Sequence, residues 1–369
     1  MINLIYTCAA LDSSGYSEAS RNYIASLNAH PDEVNFSVNS TNFERWPTDH
    51  AEYMSIIRPL LVKKVNPRVQ IVHMTPDNFP KYRKRNLKNI GYAAWETSIL
   101  PKRWVPMCNV MDEIWVPSQW NKDVFEQSGV TVPVKKIEHA INVKQFEDNV
   151  SESDLGIPKD KFVFYSIFQW TERKNPIGLI KAFLSEFSKD DDVCLVLKSY
   201  VSNVSKKGVQ DLNSQVAGIT NSMFLNGDHA PIHMIQNMLS RQEMISLHNQ
   251  GDCFVLPARS EGFGIPFLEA MAAGKPTIGT NYSGNVDFMN SKNSYLLDYT
   301  LTPVSFMPWQ LYNGKAEWAE PDLSHLKKTM RQVYENQDEA KAKGLLGKKV
   351  AKDYSWENVG RKMIDTINS

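Results

Sequence analysis

The sequence predicts an α/β chain made of two domains, each built on a parallel sheet, and three observations carry that prediction. At 369 residues the chain exceeds the size at which one hydrophobic core usually keeps growing. Short apolar runs alternate with amphipathic stretches along its length, which is the pattern of successive βα units. The alternation breaks once, in the polar stretch INVKQFEDNVSESDLGIPKD, and restarts at KFVFYSIF. A linker is therefore expected near Val143 to Leu155, giving a first domain over 1–148, a second over 149–352 and a closing helix over 353–369.

In the first half, MINLIYTC has the length and composition of a buried strand, SSGYSEAS is small and polar enough to read as a loop, and SRNYIASLNAH reads as a helix. VQIVHM, NIGYAAWE and EIWVPS follow as strands; NKDVFEQSG is a helix stopped at Gly129, and VPVKKIEHAI is a last apolar run. In the second half KFVFYSIF is a strand and PIGLIKAFLSEFSK an amphipathic helix. VCLVLKSY, MFLNG, SRQEMISLHNQ and DCFVLP continue the alternation. SWENVGRKMIDTIN closes the chain as a helix with Ser355 in the N-cap position, expected to pack back on the first domain.

Apolar residues make up 42% of the chain and the formal net charge is zero, which removes the electrostatic case for sequence-independent nucleic-acid binding. Cys8, Cys108, Cys194 and Cys253 form no C-x-x-C pair, and three of them lie in strand-like runs, so reduced core thiols are expected. The N-terminus has no cationic leader, and no run reaches the roughly 20 apolar residues of a membrane span. A cytoplasmic location is the expectation.

The chemistry concentrates in ARSEGFGIPFLEAMAAGKP, Ala258 to Pro276. An apolar strand precedes it, and Pro266 and Gly274 bracket a helix after it. Gly262 and Gly264 permit close backbone approach to a ligand, and the helix start turns free N–H groups and the positive dipole end toward it. Glu261 then falls at the end of the strand and Glu269 one turn into the helix, both at the carboxyl edge of the sheet, where open α/β sheets bind ligands. Carboxylates repel phosphate but accept from hydroxyl pairs, so two acids flanking an anion site fit a nucleotide sugar. An ordinary helix N-terminus with one solvated and one dipole-favoured acid is the alternative.

This stretch resembles the E-x7-E signature of retaining glycosyltransferases of family four. SRQEMISLHNQGDCFVLPARSEGFGIPFLEAMAAGKPTIGT is similar to that family's donor domain, and GYAAWETSILPKRWVPMCNVMDEIWVPSQWNKDVFEQSGV resembles the acceptor domain of one bacterial branch. The resemblance implies the GT-B fold, two Rossmann-like domains facing an interdomain cleft. It implies that Glu269 holds the nucleotide's ribose hydroxyls and Glu261 those of the transferred sugar, while Gly262, Phe263 and Gly264 offer backbone N–H groups to sugar and diphosphate.

In SIFQWTERKNPIGLIKAF, Arg173 and Lys174 stand between a strand and a helix, where cations oppose the helix dipole unless an anion is to be bound. They are candidates to neutralise the departing nucleoside diphosphate. The family carries an arginine directly after the strand; here Phe168 or Gln169 occupies that place, so Lys174 carries over more securely than Arg173. LDSSGYSEASRNY resembles a divergent form of the family's glycine-rich loop, with Gly15 as its donor-side candidate and an ordinary turn as the alternative. Glu96, in AAWETS, takes the place of a histidine that many relatives set near the transferred sugar; it either meets a sugar hydroxyl or acceptor proton, or pairs with an arginine. His139, in KKIEHAINVKQF, resembles the histidine of the family's P-H-G segment, and His73 stands at a strand end; each is a site candidate or a structural histidine.

The implied reaction is transfer of a hexosyl group from a nucleoside diphosphate sugar to a glycan or lipid-linked glycan, with retention, in bacterial surface-polysaccharide or lipopolysaccharide synthesis. No cofactor is expected and no metal: Asp190 and Asp192 have a D-x-D spacing but precede a strand, so they read as a solvated turn. KYRKRNLKN, Lys81 to Asn89, is either solvated surface or a peripheral contact for anionic membrane, where each cation contributes roughly 1 kcal/mol. A GT-B sugar-nucleotide epimerase and a non-catalytic sugar-nucleotide-binding subunit are the alternative functions.

Overall fold

The computed structural model describes residues 1–12, 14–41, 51–147, 153–200, 206–223, 229–304 and 315–369. The chain divides into two compact units. One comprises Met1–Val143, Pro303–Glu317 and Asp353–Ser369, the other Lys144–Thr302 and Trp318–Lys352. The boundary expected at 148/149 and most of MFLNG fall outside the described residues.

The first unit is a six-stranded sheet of β1 (Ile2–Ala9), β2 (Val34–Thr41), β3 (Val69–His73), β4 (Lys88–Tyr92), β5 (Glu113–Val116) and β6 (Val134–Lys136). Its order is β2-β1-β3-β4-β5-β6, with every pair parallel. Helices α1 (Gly15–Asn28), α2 (Ala51–Val62), α3 (Phe79–Tyr82), α4 (Trp104–Cys108) and α5 (Gln119–Gln127) connect the strands. Because β1 leads to β2 on one side and β3 continues on the other, the order reverses between β1 and β3. Loops diverge at such a point and leave a crevice at the carboxyl ends.

Two expectations change here. The loop read over SSGYSEAS is helical from Gly15, because Ser14 caps it, its side chain accepting from the Ser17 backbone N–H. Gly15 is thus the first residue of α1 and not part of a glycine loop. The strand read over NIGYAAWE stops at Tyr92, so Glu96 lies in the following loop.

The second unit holds β7 (Phe162–Gln169), β8 (Val193–Tyr200), β9 (Ile232–Ile235), β10 (Cys253–Leu256), β11 (Thr277–Thr280) and β12 (Tyr295–Leu297). They form a parallel sheet of order β12-β11-β10-β7-β8-β9, which reverses between β7 and β10. Its helices are α6 (Pro176–Glu186), α7 (Lys206–Met223), α8 (Arg241–Gln250), α9 (Ile265–Ala272), α10 (Leu323–Glu335) and α11 (Gln337–Ala351). The strands are apolar nearly throughout, as sheets covered by helices on both faces require.

α12 (Trp356–Asn368) belongs to the first unit, where it packs on α1. Ser355 caps it by accepting from the Asn358 N–H, and Trp356 Nε1 donates to Asn22 Oδ1 at 2.7 Å. All four cysteines are free and buried. Among the described residues no helix is long and apolar enough to cross a membrane.

Candidate active site

The sheet reversal in the second unit puts the loops after β7 and β10 side by side. Arg173 and Lys174 come from the first, Glu261 from the second. β7 ends at Gln169; Thr171 opens a single 3-10 turn, Glu172–Lys174, and Asn175 (φ 54°) turns the chain into α6, its side chain accepting from the Gly178 N–H. β10 ends at Leu256, so Glu261 stands five residues beyond the strand in the loop, not at its end as expected.

Lys174 Nζ lies 2.5 Å from Glu261 Oε1, and Arg173 Nη1 lies 3.3 Å from the same oxygen. Arg173 also donates to the Ser260 carbonyl at 2.6 Å. Burial pushes the Glu261 carboxyl up, but Lys174 and then Arg173 outweigh it and hold the group below its ordinary range. Two cations thus converge on one oxygen of a single acid. The two cations keep the acid ionised in a buried place.

The glycines between the acids do separate jobs. Gly264 has φ 100°, the left-handed conformation that caps α9 one residue before Ile265. Gly262 presents its carbonyl to Gly284, where a Cβ would collide with that oxygen. The Glu261 N–H donates to Ser283 Oγ at 2.8 Å and the Gly284 N–H to the Glu261 carbonyl at 2.9 Å. Phe263 turns its ring into the core beside Phe288, centroids 5.1 Å apart.

Glu269 is the fifth residue of α9 and is 95% withdrawn from solvent. Its Oε1 accepts from Arg241 Nη1 at 2.5 Å, and His248 Nε2 stands 3.7 Å from its Oε2. Arg241 is held in turn by Gln145 Oε1 at 2.7 Å and by the Phe146 ring, 5.6 Å from centroid to guanidinium. A second arginine braces the cationic turn. The Arg259 N–H donates to the Arg173 carbonyl at 2.7 Å, and its guanidinium donates to the Glu172 carbonyl, pairs with Glu320 and lies over Trp318.

Sequence reading missed Arg241, His248, Arg259, Ser283 and Gly284. A signal existed only for the start of α8, where Ser240 and Glu243 form a capping box around Arg241, the first residue of the helix.

In the first unit the reversal brings together the residues after β1 and β3. Asp12, fully buried, accepts from the Ser14 N–H at 2.9 Å, from Ser14 Oγ at 2.7 Å and from Ser17 Oγ, pinning the start of α1. Gly15 sits there with open space where a Cβ would be. His73 Nδ1 lies 2.8 Å from Tyr6 Oη and 3.2 Å from Ser20 Oγ, and His139 Nδ1 lies 3.0 Å from Tyr23 Oη. The two rings stack with centroids 6.4 Å apart. Burial drives His73 well below its ordinary pKa, with His139 adding to the effect, and drives His139 down to about 3, so both imidazoles are neutral.

Glu96 is half-buried in a loop tied by Trp95, whose N–H donates to Asn121 Oδ1 at 2.7 Å and whose indole donates to Thr97 Oγ1 at 2.8 Å. Burial, then the charge of Glu96, push the Tyr16 phenol well above its usual value. Lys81, Arg83, Lys84 and Arg85 are exposed. Asp190 and Asp192 are exposed in the turn before β8, and Asp191 between them pairs with Arg331 at 2.8 Å.

Two parallel six-stranded units, each with one reversal of strand order, are the architecture of the GT-B fold. Comparison with known proteins narrows the class. Residues 148–298 match the family described as glycosyl transferases group 1. Over 248 residues the chain is 24% identical to an uncharacterized glycosyltransferase of Methanocaldococcus jannaschii, a match spanning 64% of this chain and 53% of that one. Among solved structures, sucrose-phosphate synthase from Thermosynechococcus elongatus is similar with TM-score 0.71 at 12% identity, covering 100% of this chain and 98% of that one. Anabaena HepE in complex with UDP-glucose is similar with TM-score 0.67 at 11% identity, covering 100% of both. The family match thus lies in the second unit, and the solved structures share the fold of the whole chain.

Proposed function

We propose that this chain is a glycosyltransferase that moves a hexosyl group, with retention, from a nucleoside diphosphate sugar to a hydroxyl of a glycan or lipid-linked glycan. The observation that carries the reading is the pair of acid–cation couples at the reversal of the second sheet, Lys174 and Arg173 on Glu261 and Arg241 on Glu269. Between them lie Gly262 to Gly264 and the N-terminus of α9, a donor set suited to a diphosphate. HepE was solved with UDP-glucose, which makes that donor the first to test here.

In the proposed mechanism Glu269 accepts from the ribose hydroxyls and Glu261 from the sugar. Lys174 and Arg173 neutralise charge as the diphosphate leaves, which is where a preorganised cation contributes most. A phosphate oxygen takes the acceptor's proton on the face the leaving group vacates, consistent with retention. Because these cations serve the leaving group, transfer is expected to survive a metal chelator. Gly15, Glu96 and His139 are proposed to serve the acceptor side and the sugar. The role is proposed to be bacterial surface-polysaccharide or lipopolysaccharide assembly in the cytoplasm, with the exposed cations Lys81, Arg83, Lys84 and Arg85 meeting anionic membrane.

The test is a thermal-shift and calorimetric screen of UDP-, GDP- and other nucleoside diphosphate sugars against the wild type and Glu269→Ala. Selective stabilisation lost in the variant, followed by acceptor-dependent turnover, is the expected result. Donor interconversion without acceptor would replace this reading by an epimerase, and tight binding without turnover by a non-catalytic subunit.

A further inference from the structure

His248 has a use that packing alone does not explain. It is fully withdrawn from solvent on α8, between the rings of Tyr165 and Phe146. Its Nδ1 lies 3.0 Å from Tyr165 Oη, but its Nε2 is buried without a hydrogen-bond partner and faces Glu269 Oε2 at 3.7 Å. Buried polar atoms are normally satisfied, so one left open toward a carboxylate marks a contact that forms in another state of the site.

The helix geometry gives that contact its purpose. Arg241 and His248 are seven residues apart on α8, two turns, and therefore share a face. Arg241 meets one oxygen of Glu269 and His248 faces the other, so a single helix addresses both. Tyr165, rooted in β7, is the hydrogen-bond partner of the ring's other nitrogen, 3.0 Å from Nδ1. Its phenol is pushed well above the ordinary range by burial and stays protonated, so it has a hydrogen to donate to Nδ1, and when it does the ring hydrogen lies on Nε2, toward Glu269.

Resting on the donor-site reading above, we propose that His248 is a positioning residue for Glu269, fixed as its Nε2–H tautomer by Tyr165, and that it donates to Glu269 Oε2 when a nucleotide sugar's hydroxyl pair occupies that carboxylate. Arg241 and His248 then set the plane of the carboxylate from both ends, and the hydroxyl pair meets an acceptor already oriented. The charged and titratable groups around the ring are Tyr165 from β7, Glu269 from α9, Arg241 on its own helix and Lys275 beyond α9. Burial keeps the imidazole neutral against the pull of Glu269.

The test has one part without ligand and one with it. In the full chain without donor, nitrogen-15 NMR of the histidine side chains is expected to show His248 protonated on Nε2, and Tyr165→Phe to mix the tautomers. A wild-type His248 protonated on Nδ1 overturns the proposal whether or not any donor binds. With the donor found in the screen, His248→Leu is expected to weaken binding about tenfold and His248→Gln, which restores an N–H near Nε2, to stay within threefold of wild type. Tyr165→Phe is expected to weaken binding less than His248→Leu does, because part of its tautomer population still carries the Nε2 hydrogen. Glu269→Ala losing the donor while His248→Leu and His248→Gln both bind as wild type would overturn the positioning role and leave the donor site standing. Failure of the wild type to bind any nucleotide sugar would instead overturn the donor site, and with it the ligand-bound half of the proposal, separately from the tautomer result.

Discussion

Lys174 and Glu261 form a buried ion pair at 2.5 Å across 87 residues of sequence, joining the loops after β7 and β10. Removing one partner of such a pair costs about 3–5 kcal/mol because the other is left buried and unpaired. In Lys174→Met the loss is smaller, since Arg173 still faces Glu261. The expected result is a destabilisation of about 2–3 kcal/mol, read by denaturant melts. Transfer is expected to fall about 100-fold or more, the usual effect of deleting a group that stabilises developing charge. A variant with normal kcat would place the leaving group elsewhere.

The same pair sets an acid limit on stability. Glu261 has a folded-state pKa below its ordinary 4.5, so its contribution is fully present above that value and is lost as pH falls through the depressed one. The wild type is therefore expected to lose stability more steeply than Glu261→Gln once pH drops below about 4.5. Parallel melting curves for the two from pH 5 to pH 3 would show that the carboxylate is not held down in the folded state.

His139 gives a second pH dependence in the first unit, by the opposite charge logic. Its folded pKa of about 3 lies below the ordinary 6.5, so the unfolded chain binds the proton first. Stability should then fall as pH drops below 6.5, by up to about 1.4 kcal/mol per unit. His139→Gln is expected to flatten that slope, measured by urea titrations between pH 7 and pH 4.5. Normal titration of His139 in NMR near pH 6.5 would contradict it.

Much of the site was legible because its signals are contiguous. Glu261, Gly262, Gly264, Pro266 and Glu269 fall within nine residues, and strand, glycine turn and helix each have local chemistry that reads without a structure. What holds those residues was not legible. Arg241, Arg259 with Glu320, and Ser283 with Gly284 act through contacts separated by 22 to 96 residues, and no local pattern separates them from surface arginines or turn glycines. The loop read over SSGYSEAS failed for a related reason. Serine and glycine favour turns and helix caps alike, and only the buried Asp12 decides for the cap.

Two glycines should answer oppositely to the same substitution. A Cβ on Gly284 would collide with the Gly262 carbonyl, a backbone atom that cannot turn aside, so Gly284→Ala should displace the loop between the acids. The expected cost is about 1–3 kcal/mol, as for other overpacked sites, with at least tenfold weaker donor binding by calorimetry. Gly15 has open space around its Cβ position and no positive φ. Gly15→Ala should keep or raise stability, by up to about 1 kcal/mol through the unfolded chain. Any large loss of activity there, with the fold intact, would mark Gly15 as a place where a ligand approaches the start of α1.

The closing helix makes the last prediction. A Cβ on Gly360 would run into the carbonyl oxygen of Ser26 and crowd the His30 ring, so α12 and α1 approach as closely as two backbones can. Around that contact Trp356 donates to Asn22, and Arg361 pairs with Glu33. Val359, Met363, Ile364 and Ile367 join the core that Tyr6, Tyr23 and Ile71 share. Ion pairs as exposed as Arg361 with Glu33 contribute little, so the close packing and the buried aliphatics supply most of the attachment. Gly360→Val should then lift the helix and destabilise the first unit by about 2–3 kcal/mol, whereas Arg361→Ala should cost under about 1 kcal/mol. Hydrogen exchange separates the two causes. With Gly360→Val, exchange is expected to quicken in both α12 and α1; quickening in α12 alone would mean that the first unit's core stands without it.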